Sequence, residues 1–334
     1  MILTFANNVS SRPLAALLAL FLGVATIILL TIMIQIEKRG HYMSVSKVKT
    51  TIVKQKIRNP ILNVLAHVYA YLLFLIYVIP VALVVLFSFT DSATIASKHL
   101  TLSSFTLENY ISIFQKASSY KPFVVSIAYS AIAASFVAII VLIACRILQK
   151  RKDRLGGALE YGLLIPWLLP TTLMALGLIT TYNTPRVWMF NKVLTGTSVI
   201  MLIGYIIIKI PFTLRMTKAA FFSLDDSLED AARNMGAKPF YTFMRVQLPI
   251  ILPTVLAIFA LNFNGLLGDY DMSVFMYHPL NKPLGVYIKS LTDSETNADN
   301  AALTFVYAVL MMVISGVVMY LVYGRGNKVD KSKD

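Results

Sequence analysis

The sequence predicts an all-α polytopic membrane protein with about seven transmembrane helices. Hydrophobic residues occupy 57% of its 334 positions, charged residues occupy only 14%, and the mean hydropathy is +0.71. A soluble domain carries a charge at roughly 25% of its positions. The apolar residues also gather into runs long enough to cross a bilayer as helices. Together, these observations exclude a water-soluble globular fold.

Seven runs approach the ~20 apolar residues that a membrane-crossing helix needs. They are Leu14 to Ile36, Asn63 to Phe89, Pro122 to Leu148, Leu155 to Thr181, Thr195 to Leu214, Ile250 to Leu267 and Ala301 to Tyr323. Prolines interrupt several of them, which membrane helices tolerate where neighbouring groups satisfy the freed carbonyls. We therefore expect seven spans, some of them kinked.

The basic residues indicate the orientation of these spans. The net charge of +14 would indicate a nucleic-acid partner in a soluble chain, but here Lys and Arg lie between apolar runs. They concentrate in segments 37–60, 149–154, 215–249 and 324–334, and the alternate loops are poorer in them. Because cytoplasmic loops carry the excess of Lys and Arg, we expect these four segments inside the cell and the N-terminus outside. The expected partner is the lipid bilayer, with no nucleic acid.

Several function classes lack their sequence signatures. Cys145 is the single cysteine, which excludes an intramolecular disulfide and any multi-cysteine metal site. The four histidines have no metal-ligand spacing, and neither a GxxxxGK loop nor a GxSxG motif occurs. We therefore predict no catalytic residues and no metal site. A membrane-embedded enzyme or a channel is a disfavoured alternative, because no paired catalytic groups or filter repeat occur.

Segment 215–249 has the pattern of two short helices joined at an elbow. Capping residues in 223–227 begin a helix that runs to Met235, Gly236 ends it, and Pro239 begins the second helix. Small and apolar side chains would then form a face on a solvated loop: Ala231, Ala232, Ala237, Phe240 and Phe243. Such a face needs a partner. The alternative is an amphipathic hairpin on the lipid headgroups, with Arg233, Lys238 and Arg245 as the basic side chains.

The spacing within this segment favours a protein partner. Asp230-Ala-Ala, then Gly236-Ala after three residues, and later Leu248-Pro249 resemble the EAA motif of type I ABC importer permeases. Asp230 stands where that family usually has Glu, and Glu229 lies one residue earlier. The resemblance implies that the following residues couple the chain to an ATPase: Glu229, Asp230, Ala231, Ala232, Gly236, Ala237, Leu248 and Pro249.

The resemblance also implies an architecture and partners. Residues 61–323 would form the six-helix importer core, with the elbow docking on separate ATPase subunits and Leu248-Pro249 giving a rigid entry into the span at Ile250. ATP and Mg would bind to those subunits, with no cofactor bound by this chain. A periplasmic or extracellular solute-binding protein would deliver the solute at a bacterial inner membrane.

The first 60 residues indicate a subfamily. Residues 1–38 are expected to form an extra span, and the string Arg39 to Lys47 in the basic linker 39–60 resembles the linker of fused iron(III)-type permeases. The alternative for this stretch is a basic segment attracted to anionic lipid. Ferric iron is the first substrate implied, with polyamine, phosphonate or another small solute as alternatives. A second permease unit would come from a separate chain, encoded upstream for instance, or from a second copy of this chain.

Polar residues near the outer end of the sixth run are candidates for the solute pathway. Asn262 and Asn264 lie at membrane depth, where an unpaired amide is costly. Asp269 and Asp271 would lie at the outer mouth and meet a cation or a docked binding protein. The alternatives are hydrogen bonds between packed helices for the two Asn residues, and a helix cap in a solvated loop for the two Asp residues.

The span count and the charge pattern give a prediction of orientation. A peptide tag at the N-terminus is expected to be accessible from outside sealed cells, and a tag placed after Asp334 is expected to be protected. Antibody labelling before and after permeabilisation measures both. Protection of both tags would contradict the seven-span count.

Overall fold

The structure, a computed structural model, describes residues 57–324 apart from 98, 152, 186, 190 and 293–299, together with seven separate positions between 17 and 32. Most of the first expected span, the linker string 39–47 and the tail after residue 324 lie outside the described residues. The helices are α1 Pro60–Ser88, α2 Ser92–Ser97, α3 Glu108–Gln115, α4 Ala117–Lys150, α5 Arg154–Leu164, α6 Thr171–Tyr182, α7 Ser198–Phe222, α8 Asp226–Asn234, α9 Pro239–Leu267, α10 Ser273–Met276, α11 Leu284–Thr292 and α12 Asn300–Tyr323. Short 3-10 turns cover Leu102–Ser104, Ile165–Leu168 and Val187–Met189. In this part of the chain, β-pairing is limited to an isolated bridge between Thr90 and Phe105.

The all-α membrane fold expected from the sequence is confirmed. Five described helices are long and apolar enough to cross a bilayer, and a sixth span results if the bent pair α5–α6 counts as one. The five are α1, α4, α7, α9 and α12, and each corresponds to an expected run. The total of seven stays a prediction, because it depends on the run from Leu14 to Ile36.

The run from Leu155 to Thr181 forms two helices, α5 and α6, bent by 108° at a short break, so the bend in this run is sharp enough to interrupt the helix. Two prolines account for the break. Pro166 lies in a 3-10 turn that follows α5, and Leu169, the residue before Pro170, is extended with φ −100° and ψ 135°. A residue before proline is disfavoured in the helical region, so α5 cannot continue into α6.

The described chain divides into two compact units, one of which contains residues 121–287 and 314–324. Its core forms where α4, α7 and α9 pack together. Val141 and Cys145 of α4 lie with Leu214 and Phe221 of α7 and Ile251 of α9 in one buried cluster. A second cluster lies towards the other end of α7, around Tyr205, Met272 and Met276. These clusters place the last turns of α4 beside the region where α7 ends and α9 begins.

The other unit contains described residues 57–120 and 288–313. Within it, Phe87 of α1 lies 5.4 Å from Phe305 of α12, measured between ring centroids, and Tyr307 donates a hydrogen bond to the carbonyl of Ser119 at 2.9 Å. The most apolar 18 residues of α1 bury none of their side chains within the chain. A helix of that length and composition is suited to contact with hydrocarbon.

Gly285 allows a close backbone contact that no other residue would fit. A Cβ at this position would lie 2.4 Å from the carbonyl oxygen of Asp269 and 2.7 Å from that of Gly268. We expect Gly285→Ala to lower the free energy of unfolding by about 1–3 kcal/mol, because the backbone must move to relieve the overlap. Thermal unfolding in detergent measures the change.

Gly177 is the matched control, because a Cβ there meets nothing within 4 Å. It lies inside α6, so Gly177→Ala is expected to be neutral or to stabilise by up to about 1 kcal/mol. Equal unfolding midpoints for the two variants would contradict the assignment of Gly285.

Candidate functional site

The elbow, residues 225–242, has the predicted geometry of two helices joined by a tight turn. The Asp225 side chain begins α8 by accepting a hydrogen bond from the N–H of Ser227 at 3.0 Å. Gly236 has a φ of +79°, and the N–H of Ala237 donates to the carbonyl of Ala232 at 3.0 Å. This is the hydrogen bond of a Schellman C-cap, for which glycine has the least steric cost. Pro239 then occupies the first turn of α9.

The expected rigid entry into the span at Leu248-Pro249 lies inside one continuous helix. Helix α9 runs from Pro239 to Leu267 and contains a π-helical turn over Phe243–Gln247, closed by the N–H of Leu248 donating to the carbonyl of Phe243. Pro249 has no N–H for the carbonyl four residues earlier, and its ring would collide with that carbonyl in a regular α-helix. The wider π turn accommodates the proline without breaking the helix. The second arm of the elbow and the span are therefore one helix.

The two acids of the motif region face opposite ways. Glu229 has 14% of its side chain exposed, whereas Asp230 has 69% exposed. Consecutive residues of an α-helix are rotated by about 100°, so only one of the two can face inward. Thus Asp230, at the position of the family's usual Glu, faces solvent, and Glu229 faces the protein.

The other residues assigned to coupling also divide by exposure. Ala231, Gly236 and Pro249 are exposed, Ala237 and Leu248 are half-buried, and Ala232 is buried. Of the expected apolar face, Phe240 is 74% exposed, but Phe243 turns inward and stacks on Phe221 with 6.2 Å between ring centroids. The outward apolar surface instead includes Met235, Phe240, Tyr241 and Met244.

Glu229 is the centre of a polar cluster that also contains Arg146, Lys150 and Gln247, called the Glu229 cluster below. Arg146 Nη1 lies 3.1 Å from Glu229 Oε2, and Gln247 Nε2 donates to the same oxygen at 3.2 Å. Lys150 donates to Glu229 Oε1. The cluster thus joins the last turns of α4, the first arm of the elbow and the π turn of α9.

Arg146 connects most of the cluster's members. Its Nη1 also donates to the side-chain oxygens of Gln247 and Gln149, both at 2.9 Å, and its guanidinium carbon lies 5.8 Å from the ring centroid of Phe243. Sequence reasoning missed this role. The available signal was a lone arginine near the end of the apolar run from Pro122 to Leu148. A cation at such a position requires a partner.

Burial and the neighbouring cations act in opposite directions on the Glu229 carboxyl. Burial by itself raises its pKa, but the hydrogen bonds from Lys150 and Arg146 and their positive charges outweigh burial and lower the pKa from 4.5 to about 2. The carboxylate is therefore charged and paired at neutral pH. A pair of this kind fixes the geometry of the groups that it joins.

The four pathway candidates have different surroundings. Asn262 is buried in α9, and its Nδ2 donates to Thr213 Oγ1 of α7 at 2.6 Å, a hydrogen bond between packed helices. Asn264 Oδ1 is buried and has no hydrogen-bond partner among the described residues. Asp269 Oδ2 accepts from the N–H groups of Met272 and Ser273, so it caps the turn before α10. Asp271 is exposed.

The lowered pKa of Glu229 gives a prediction of pH dependence. Because the folded pKa is below the unfolded one, the unfolded chain binds more protons between about pH 4.5 and pH 2, and the pair's stabilisation is lost as the pH falls through that range. The difference in unfolding temperature between the parent chain and Glu229→Gln is expected to be largest above about pH 4.5 and to shrink towards pH 2. Asp230→Asn is the control, because that exposed side chain contributes little stability. A difference that does not vary with pH would contradict the pairing.

Comparison with known sequences finds transport proteins. The chain is 36% identical over 323 residues to a probable ABC transporter permease protein of Sinorhizobium fredii, with 96% of this chain and 56% of the relative covered. It thus spans little more than half the length of that relative. It is 24% identical over 212 residues to a protein of Salmonella typhimurium named for 2-aminoethylphosphonate transport, covering 64% of this chain and 78% of the relative. It is 30% identical over 125 residues to an Fe(3+)-transport system permease protein of Haemophilus influenzae, covering 37% of this chain and 24% of the relative.

Comparison with solved structures supports the fold. A chain of a bacterial ABC transporter that imports the acidic polysaccharide alginate superposes with a TM-score of 0.64. The match covers 80% of this chain and 96% of that chain, at 15% sequence identity. At this identity the likeness extends to the fold alone.

A family model matches the part of the chain that contains the site. Residues 137–327 match the model of the binding-protein-dependent transport system inner membrane component. This range is more than half of the chain, and it includes the elbow, α9 and the end of α4 with Arg146. The chain therefore belongs to the family of binding-protein-dependent transport system inner membrane components, the permeases of type I ABC importers.

Proposed function

We propose that this chain forms part of the solute pathway of an ATP-driven importer and that its elbow docks on a separate ATPase subunit. The observation that carries the proposal is the exposed apolar surface of the elbow. Met235 is 81% exposed, Phe240 74% and Tyr241 58%. Apolar side chains gathered on a two-helix loop between spans are typical of a protein contact.

The continuous helix α9 supports a coupling role. Its first residues belong to the elbow and its last, Leu267, ends the span, so a displacement of the elbow reaches the span without an intervening loop. Rigid displacement of packed helices is a common way to transmit a conformational change. In this proposal Asp230, Ala231 and Gly236 contact the ATPase, whereas Glu229 and Ala232 hold the elbow in shape.

ATP and Mg belong to the partner in this proposal. This chain would supply the docking surface, and nucleotide binding in the ATPase would move it. The alternative of an elbow lying on lipid headgroups makes a different prediction. The elbow would then bind anionic vesicles through Arg233, Lys238 and Arg245 without any ATPase.

Of the four pathway candidates, Asn264 has the strongest support as a residue that contacts the solute. Its buried Oδ1 lacks a partner within the described chain, and a buried amide oxygen is costly unless a water or a solute donates to it. Asn262 is engaged with Thr213 and would contribute through packing. Asp269 and Asp271 would meet solute near the end of α9.

Ferric iron is the first substrate that we propose, with 2-aminoethylphosphonate, polyamine or another small solute as the alternatives. The linker string at 39–47 and the Haemophilus relative support iron. The Salmonella relative supports a phosphonate. Because the binding protein is expected to perform most of the selection, purifying it and measuring its affinity for Fe³⁺ and for 2-aminoethylphosphonate would distinguish these solutes.

The importer also requires a second permease unit in this proposal. A separate chain with the first half of a fused arrangement is the favoured source, and a second copy of this chain is the alternative. The Sinorhizobium relative is longer than this chain, which covers 56% of it. The mass of the complex purified through this chain distinguishes a separate permease chain from a second copy. Two copies of the 37.1 kDa chain with no other permease would refute the separate chain.

Disrupting the elbow is expected to abolish transport and leave membrane insertion intact. Gly236→Val places a β-branched residue at φ +79°, and Asp230→Lys reverses an exposed charge. We expect capture of the ATPase by the tagged double variant to fall by about tenfold or more, equivalent to at least about 1.4 kcal/mol. Co-purification after mild solubilisation and uptake in cells measure the two effects.

The matched control combines Gly177→Val with Glu108→Lys, the same kinds of change away from the elbow. A Cβ at Gly177 meets no neighbour within 4 Å, and Glu108 is exposed in the first turn of α3. The control is expected to capture the ATPase as the parent does. Normal uptake in the elbow variant, or a parent chain that captures no ATPase, would refute the coupling assignment.

A further inference from the structure

We infer that Glu229 is a positioning residue that fastens the elbow to α4, so that a displacement of the elbow moves α4 together with α9. The inference rests on the proposed docking of an ATPase on the elbow. The Glu229 cluster would give the elbow a second mechanical connection to the spans, besides the continuous helix α9.

The elbow is connected to α9 and to α4 in different ways. Helix α9 contains the second arm of the elbow, so their movement is coupled through the backbone. Helix α4 is remote in sequence, because Arg146 lies 83 residues before Glu229. Movement of the elbow can therefore reach α4 only through side-chain contacts. Arg146 and Lys150, one turn apart on α4, both bind the carboxylate of Glu229.

The contacts of Glu229 with α4 are largely shielded from water. The side chains of Arg146 and Glu229 are 17% and 14% exposed, and Gln247 is buried. An ion pair shielded from water and completed by further hydrogen bonds is costly to separate, because separation leaves an unpaired charge. The exposed Arg233, which lies 3.6 Å from Glu229 Oε1 and 3.9 Å from Asp230 Oδ1, is on the same helix as both acids and is not shielded from water in this way. The Glu229 cluster is thus the stiff polar connection of the elbow.

The π turn of α9 packs around the Glu229 cluster. Phe243 of the π turn packs on Phe221 of α7 and lies under the guanidinium of Arg146. Gln247, from the same turn, donates to Glu229 and accepts from Arg146. The cluster therefore holds α4, α8 and α9 at one point, where closely packed groups move together rather than deform.

The register of the motif accounts for a division of roles between the two acids. Asp230 faces outward, where the ATPase would bind, and Glu229 faces inward, where α4 lies. Asp230 would then contact the ATPase, and the adjacent Glu229 would bind α4 of the same chain. Loss of Glu229 should consequently leave docking intact and remove the polar connection of the elbow to α4, leaving only the apolar contacts that α4 makes with α7 and α9.

The test follows the response of each span to nucleotide in the complete complex with its ATPase. Cys145 is first replaced by Ala, and a single cysteine is then introduced at Ile139 in α4 or at Leu256 in α9, both exposed positions. Each is labelled with an environment-sensitive fluorophore. The probe is ATP with Mg²⁺, and the readout is the nucleotide-dependent change in fluorescence at each position.

In the parent, both labels are expected to respond. In Glu229→Gln the response at position 139 is expected to fall at least about fivefold, within the usual range of coupling between sites, and the response at position 256 is expected to persist. Glu160→Gln is the matched control, because it removes another partly buried ion pair, to Lys218, and should leave both responses at the parent level. A merely structural role for Glu229 would lower both responses together.

Arg146→Lys is the second variant, for the case that Glu229→Gln does not assemble. It keeps a cation beside Glu229, but its single nitrogen cannot reproduce the contact that Nη1 and Nη2 of the guanidinium make with the two carboxylate oxygens of Glu229. The response at position 139 is expected to fall about twofold or more relative to that at position 256. A full response at position 139 in either variant would overturn the inference. A parent complex in which neither label responds, or which holds no ATPase, would instead overturn the proposed function.

Discussion

Lipid offers the backbone no hydrogen-bond partner, and most of this structure follows from that constraint. Every span must satisfy its own N–H and C=O groups, so the described chain is helical. Where prolines remove donors, the chain responds locally. Pro166 and Pro170 break one span into α5 and α6, whereas Pro249 is absorbed by a π turn inside α9. The apolar face of α1 needs no cover within the chain, because hydrocarbon is a suitable solvent for it.

Charge is the second organising factor, and it is concentrated where the spans end. Arg146 lies at the end of a long apolar helix and would be unfavourable there without an anion. Glu229, on the elbow, supplies the negative charge. Gln247 donates a hydrogen bond to Glu229 and accepts one from Arg146. Each of the three charged or polar groups is stable at its position because the other two are present. The geometry of the elbow is consequently inseparable from that of the helix ends beneath it.

The sequence predicted the elements that depend on local chemistry. The elbow followed from a capping acid, Gly236 and Pro239, and the spans followed from length and hydropathy. The sequence did not predict the features that depend on tertiary contacts. The inward turn of Glu229 depends on cations 79 and 83 residues away, and the engagement of Asn262 depends on Thr213 of another helix. The continuity of α9 through Leu248-Pro249 was not predicted, because it depends on the π turn over Phe243–Gln247, which has no local sequence signature.

The π turn of α9 sets the phase between the two halves of that helix. It takes one residue more than an α-helical turn over Phe243–Gln247, so each side chain beyond it is rotated by about 100° from where an unbroken α-helix would place it. The outward face at Phe240 and the buried face at Asn262 are thus matched through this single extra residue. A chain shortened by one position there would keep its composition and length almost unchanged, yet its polar amides would point towards a different set of neighbours. The neighbours of Asn262 and Asn264 are in this sense determined at the π turn, far along the helix from those two residues.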